Sequence, residues 1–220
     1  IKGIQEKTKI EKFVQFSTPE VYGSTDNWIV ENFNFSPTTP YAISRAASDF
    51  HLEAIRKHSG FPVIFTRAAN VFGPGQQIYR IIPKAVIAGL NGRKIQLHGG
   101  GESLRSFIHI ADVSDALLKI IENGLVGSTY HISTNLLISI RELVGRIASL
   151  LFVDFESLVV DSPERAGKDF AYKLSSEKIR AELAWKEQID IDSGIKMTIN
   201  WAKQNLDLLN SLPSEYEHKR

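Results

Sequence analysis

Phe13-Val14-Gln15-Phe16-Ser17-Thr18-Pro19-Glu20-Val21-Tyr22-Gly23, followed by Thr39-Pro40-Tyr41-Ala42-Ile43-Ser44-Arg45, decides the fold. The first five residues are a short apolar run ending in polar residues, as a buried parallel strand does. Thr39-Pro40 supplies a capping hydroxyl and then a proline at the first helical position. From there the spacing predicts a helix to about residue 59. Ile43, Ala46, Ala47, Phe50 and Ala54 form its expected buried stripe. Gly60 and Pro62 stop it, and residues 62–66 read as the next strand.

Outward from this unit the pattern repeats. Helices are expected over 80–90, 111–123, 139–151, 175–183 and 192–209, and strands over 94–97, 107–110, 129–132 and 158–160. Strands alternating with helices imply an α/β fold with a parallel sheet. The last third reads as a smaller α/β lobe.

The 220 residues carry 26 basic and 25 acidic side chains, a net charge of +1, with 43% hydrophobic residues. That balance gives no electrostatic reason to expect nucleic acid or an acidic membrane surface. There is no cysteine, which excludes disulfides and thiolate metal sites and suits a reducing, cytoplasmic compartment. The longest apolar run, 81–90, is broken by Pro83, Lys84 and Gly89, too short and interrupted to span a bilayer. The charged residues 1–12 lack a signal-peptide core and look like the tail of a helix. The six histidines show no ligand spacing, so no metal is expected.

Two segments carry chemistry. In open α/β sheets, ligands bind beyond the carboxyl ends of the strands, where Ser17 to Gly23 lies. Thr18 and Glu20, two apart, project to one side if the chain is extended. The other reading is a polar exit with a solvated glutamate. Tyr41 and Arg45 stack on one helix flank, about 6 Å apart along the axis. A phenol is a poor base at neutral pH unless a neighbouring cation favours its ionised form, and Arg45 is such a cation. Alone, this pair also fits ordinary surface packing. His98-Gly99-Gly100-Gly101 resembles a phosphate cradle, but lacks a following lysine and reads as a turn between strands. Glu31 and Asp49 read as surface charges.

Together and in this order, the segments resemble the extended short-chain dehydrogenase/reductase family that acts on nucleotide sugars. Its members carry Ser-Thr-x-Glu-Val-Tyr-Gly and then Pro-Tyr-x-x-x-Lys. The likeness continues through Arg67-Ala68-Ala69-Asn70-Val71-Phe72-Gly73-Pro74, then Gly101 to Asp112, and the tail segments Glu164-Arg165-Ala166-Gly167-Lys168-Asp169 and Leu183-Ala184-Trp185. It is nearest to the dTDP-glucose 4,6-dehydratase group.

The resemblance implies the C-terminal part of a Rossmann-type doubly wound parallel sheet with a smaller substrate lobe. The NAD domain would hold 1–75 with a returning segment 106–135, and the substrate lobe 76–105 and 136–220. Tyr41 would take the proton from the sugar 4-hydroxyl while hydride leaves C4 for NAD. Thr18 would bond the same oxygen, and Glu20 would remove the C5 proton. Ser17, Tyr41, Arg45 and Ala68 would line the cofactor. Asn70, Arg80, Ile81, His98, Arg105 and Arg165 would hold the nucleotide-diphosphate sugar, guanidinium forks suiting phosphate. A homodimer through the Tyr41 helix is implied, with Phe50 and Leu52 on its exposed flank.

Three departures qualify this. The Gly-rich turn that receives the NAD pyrophosphate is not among these residues, so the chain is expected to be a fragment, inactive by itself. Arg45 stands where the family has lysine, a permanent charge that cannot pass a proton. Pro19 stands where the dTDP-glucose dehydratases have an aspartate acid. Either Glu20 serves as base and then acid, or no elimination occurs and the enzyme is a 4-epimerase or uronate decarboxylase. A non-catalytic sugar-nucleotide binding protein is the reading if the chain is complete.

Overall fold

The computed structural model describes residues 8–163 and 171–213. Arg165 and its motif, 164–169, lie outside the described residues. In chain order the elements are β1 (Phe13–Ser17), α1 (Pro40–Ser59), β2 (Val63–Ala68), β3 (Asn70–Phe72), α2 (Ile81–Leu90), β4 (Ile95–His98), β5 (Leu104–Arg105) and β6 (Phe107–His109). There follow α3 (Ile110–Asn123), β7 (Thr129–Ile132), β8 (Ile138–Ser139), α4 (Ile140–Leu151), α5 (Phe155–Leu158), β9 (Val159–Ser162), α6 (Glu177–Leu183), α7 (Ile191–Gln204) and α8 (Leu206–Ser211).

Two compact units divide the chain. The first is drawn from Ile1–Ala69, Asp112–Asn135 and Asp169–Lys186, the second from Asn70–Ala111, Leu136–Lys168 and Glu187–Arg220. The sequence reading assigns 169–186 to the substrate lobe. Here it clusters with the first unit, because Ile29 bridges Leu174 and Lys173 N donates to Thr25 Oγ1 at 2.7 Å.

In the first unit β1, β2 and β7 form a parallel sheet with β2 in the middle. Every residue of β2 is buried, as its near-continuous apolar run requires of a central strand. The helix α1 begins as read. Thr39 Oγ1 accepts from Ala42 N at 3.1 Å, Pro40 occupies the first position, and Gly60 closes the helix at φ 66°.

Its buried face differs from the expected one. Ala42, Ala46, Asp49 and Leu52 face inward, while Ile43 and Phe50 are about half exposed and Ala47 and Ala54 are also exposed. Leu52 is therefore not on an exposed flank. The periodicity failed because one inward position holds a charge: Asp49 is turned in to meet Arg67. Asp49 is fully buried and the Glu31 side chain is 8% exposed, so neither is a surface charge.

The second unit has its own core, in which α2, α4 and α7 pack through Ile82, Val86, Leu143, Ile147, Ile195 and Ile199. β4 pairs with β9, and β3 with β6, both parallel. Leu158 ends a short helix rather than starting a strand, and the expected 192–209 helix breaks at Asn205. Gly99–Gly101 forms a 3-10 turn between β4 and β5, the turn the sequence suggests. Among the described residues, no helix is long and apolar enough to cross a membrane.

That turn needs glycine for two reasons. Gly101 has φ 77°, and a Cβ there would lie 2.9 Å from the Arg141 backbone nitrogen. Gly92, at φ 63°, has open space instead. Gly101→Ala is expected to cost about 2 kcal/mol or more, and Gly92→Ala about 1 kcal/mol. Urea unfolding of the two variants checks this, and equal losses would contradict it.

Candidate active site

Ser17 ends β1 and Thr18 follows as the cap of a 3-10 turn, Pro19–Tyr22. Thr18 Oγ1 accepts from Glu20 N at 3.3 Å. The expected extended Thr18–Glu20 arrangement is thus replaced by a helical turn. Pro19 at its first position has a φ that suits the helical turn, and the Thr18 cap closes it. The turn closes at Gly23, whose φ is 71° and where a Cβ would sit 2.4 Å from Ser36 O.

The turn lies against α1. Val21 and Tyr22 share a core with Ala46, which sits one helical turn beyond Ala42 on the inward face. On the neighbouring flank, Arg45 Nη2 donates to Phe16 O, the last carbonyl before Ser17. The phenol of Tyr41, one turn earlier, is exposed to the solvent side. The structure thus sets Arg45 against the carboxyl end of β1, where Ser17 and the Thr18–Glu20 turn lie, with Tyr41 one helical turn before it on α1. Ala68, buried, ends β2 in the same unit. Two donors at this end, Ser17 Oγ and Arg45 Nε, are buried without a protein partner.

The residues expected to hold substrate fall in the second unit. Asn70 opens β3 and its N–H donates to Ser106 O at 3.0 Å. Arg80 precedes α2 and is exposed, with its guanidinium 5.7 Å from the Tyr79 ring centroid, and Ile81 is the first residue of that helix. Arg105 is buried, with Nη1 donating to Leu104 O at 2.7 Å. His98 Nδ1 meets Ser162 Oγ at 2.8 Å and Pro163 O at 3.2 Å, which leaves the opposite ring edge for a ligand.

Sequence reasoning missed a buried polar network behind the site. Arg67 and Asp49 pair at 3.0 Å with both side chains at zero exposure. The guanidinium sits 5.2, 5.4 and 4.9 Å from the ring centroids of Tyr22, Phe33 and Phe35. Tyr22 Oη lies 2.9 Å from His131 Nε2, and His131 Nδ1 lies 3.2 Å from Ser175 O. A carbonyl only accepts, so Nδ1 carries the proton and Nε2 accepts from the phenol. Glu31 Oε1 accepts from His131 N at 2.9 Å. A signal existed: an arginine inside the apolar strand Val63 to Ala68 demands a buried counter-charge.

The sequence profile of the NAD dependent epimerase/dehydratase family matches residues 4–133, and the chain belongs to that family. The dTDP-D-glucose 4,6-dehydratase of Mus musculus is 36% identical over 202 residues, which cover 89% of this chain and 57% of the relative. The chain thus spans less than three-fifths of that relative's length. The dTDP-glucose 4,6-dehydratase from Streptomyces venezuelae, solved with NAD bound, matches with a TM-score of 0.86 at 33% identity, over 90% of this chain and 61% of that one. The UDP-glucuronic acid 4-epimerase from Bacillus cereus matches with a TM-score of 0.85 over 90% of this chain and 63% of that one, but at 18% identity it shares the fold alone. The fold is the Rossmann-type α/β arrangement of these enzymes.

Burial, and then the charge of Arg67, push the His131 imidazole down to about 3. Burial pushes the Glu31 carboxyl up, the His131 backbone N–H opposing it. The unfolded chain takes up the histidine proton near its ordinary value, whereas the folded chain does not until far lower pH. Unfolding therefore binds a proton in between, and this stability is present above the window and lost as pH falls through it. The loss is about 1.4 kcal/mol per pH unit below the ordinary histidine value. Glu31, shifted the other way, favours the folded state at low pH and offsets part of it. Unfolding free energies at pH 7 and pH 5 should drop less in His131→Gln than in the parent; equal drops would contradict this assignment.

Proposed function

We propose that the chain is the part of an NAD-dependent nucleotide-sugar 4,6-dehydratase that carries its acid–base residues. The observation that supports the reading is Arg45 of the Tyr41 helix bonded to the last carbonyl before Ser17 and the Thr18–Glu20 turn, together with relatives named dTDP-glucose 4,6-dehydratase.

The residues present fit the cofactor. Ser17 Oγ and Arg45 Nε are buried donors without protein partners, suited to the hydroxyls of a ribose. NAD, when bound, supplies the acceptor and later the donor of hydride. Its pyrophosphate would need a Gly-rich turn, which is not among these residues. Tyr41 takes the proton from the 4-hydroxyl, with the Arg45 guanidinium one helical turn away on α1. Thr18 Oγ1 already accepts from a backbone N–H, so its own O–H is left to donate to the sugar 4-oxygen. With C4 a ketone the C5 proton is acidic, and Glu20 removes it as general base. Pro19 has no proton to give, so Glu20 passes the same proton to the departing 6-hydroxyl, which leaves as water; after reduction at C6, C5 takes a proton that Glu20 has drawn from solvent.

Asn70, Arg80, Ile81, His98, Arg105 and Arg165 are the proposed contacts to the nucleotide diphosphate and sugar. The half-exposed Ile43 and Phe50, with exposed Ala47 and Ala54, give α1 an outward apolar face for the helix pairing of a homodimer. A cytoplasmic place of work rests on the resemblance. Pro19 specifically favours a second reading, a 4-epimerase or uronate decarboxylase, which needs the ketone and no leaving-group acid.

The test incubates the full-length protein, NAD and dTDP-, UDP- or GDP-sugars in D2O. A 4-keto-6-deoxy product carrying deuterium at C5 is expected. Glu20→Gln should lower its formation by roughly 10²–10⁴-fold. A 4-epimer or a decarboxylated pentose would select the second reading, and no product from any sugar would overturn both.

A further inference from the structure

One guanidinium touches both segments that hold the reactive groups. Arg67 lies beside Ser17 in the β1–β2 register, one residue before the turn. Its Nη2 donates to Asp49 Oδ2 at 3.0 Å, on α1, and its planar face rests against the ring of Tyr22, the last residue of the Glu20 turn. Tyr22 is held at its other end by His131 on β7.

On α1, Tyr41, Arg45 and Asp49 follow one another at intervals of four, each step turning about 40° toward the inward face. The helix is tied to the sheet at two of these positions, Arg45 to Phe16 O on β1 and Asp49 to Arg67 on β2. Asp49 lies about 12 Å along the axis from Tyr41. A helix that long is stiff, so rotation or sliding at Asp49 moves the phenol by a comparable amount. Displacements near 1 Å at reacting groups can cost about 10²-fold in rate.

The arrangement is an expensive way to fill space. Among the described residues, Asp49 Oδ1, Arg67 Nε and Arg67 Nη1 are buried without a hydrogen-bond partner. Well-packed apolar residues of similar volume often stabilise a fold as well as a buried ion pair or better. Packing alone does not account for a charge pair here; fixing a helix to a turn does, because hydrogen-bond direction sets rotation as apolar contact does not.

We propose that Asp49 and Arg67 are positioning residues, which with the Tyr22–His131 hydrogen bond hold the Tyr41 helix in register with the Thr18–Glu20 turn. This rests on the dehydratase reading for its consequence in turnover, but not for its consequence in structure.

The test uses the full-length protein and the double variant Asp49→Leu/Arg67→Met, which replaces the pair with apolar side chains. A melting temperature near the parent's is expected, with kcat lowered roughly 10- to 100-fold and KM within about threefold. Amide exchange across residues 41–46 should quicken roughly tenfold, with that of α3 unchanged. Unchanged kcat, or unchanged exchange at 41–46, overturns the proposal. If the double variant does not fold, Arg67→Lys decides. It keeps the charge but loses the guanidinium that lies among the Tyr22, Phe33 and Phe35 rings, so a fall in kcat at constant KM supports positioning and parent-like kcat overturns it. Should the parent itself turn over no nucleotide sugar, the functional reading fails, and the exchange data alone decide the positioning claim.

Discussion

A charge pair with no exposure to water, Arg67 against Asp49, is the constraint on which the first unit's arrangement depends. An arginine in the central strand must meet an anion where water cannot reach, so the helix has to turn its aspartate inward. That fixes which face of α1 packs on the sheet. Once Asp49 points in, Ala42 and Ala46 face inward with it. Arg45 then reaches the end of β1, and Tyr41, Ile43 and Phe50 are left exposed. The same cation supports Tyr22, so the turn bearing Thr18 and Glu20 is placed from the same point.

Much of this was legible in the residues. The capping Thr39, Pro40 and Gly60 set the ends of α1 because each acts locally, through one hydrogen bond or one backbone angle. The β2 run is legible because a strand buried on both faces must be apolar, whereas β1 is apolar yet only partly buried, with Phe16 exposed. The buried face of α1 was not, because apolar counting places Phe50 inside and Asp49 outside. The true orientation is decided by a charge on another element, which periodicity does not see. The Thr18–Glu20 geometry is a capped helical turn and not an extended exit, because Thr18 Oγ1 accepts from Glu20 N, a local bond that residue alternation does not see. The residues gathered at the end of β1 came from motif order, not from geometry. The network through Tyr22, His131 and Glu31 escaped notice because its members lie about 100 residues apart in the chain.

The chemistry follows from what each local structure leaves available. Thr18 spends its acceptor capacity on the turn and keeps its proton to donate. Arg45 bonds a strand carbonyl with Nη2 and keeps Nε. Pro19 opens a rigid turn and carries no acid, so in the proposed dehydration the proton for the departing 6-hydroxyl falls to Glu20. The second unit contributes a separate, independently cored set of polar residues, among which His98 is already fixed through Nδ1 by Ser162.

The account stands on Arg67 and Asp49 acting as a coupled pair, and a double-mutant cycle on unfolding free energy measures that coupling directly. Asp49→Leu and Arg67→Met, taken singly, each strand a buried charge and should cost about 3–5 kcal/mol, while the double variant should cost far less than their sum. Losses that simply add would show that the two side chains stabilise the fold independently, and the central claim would be wrong.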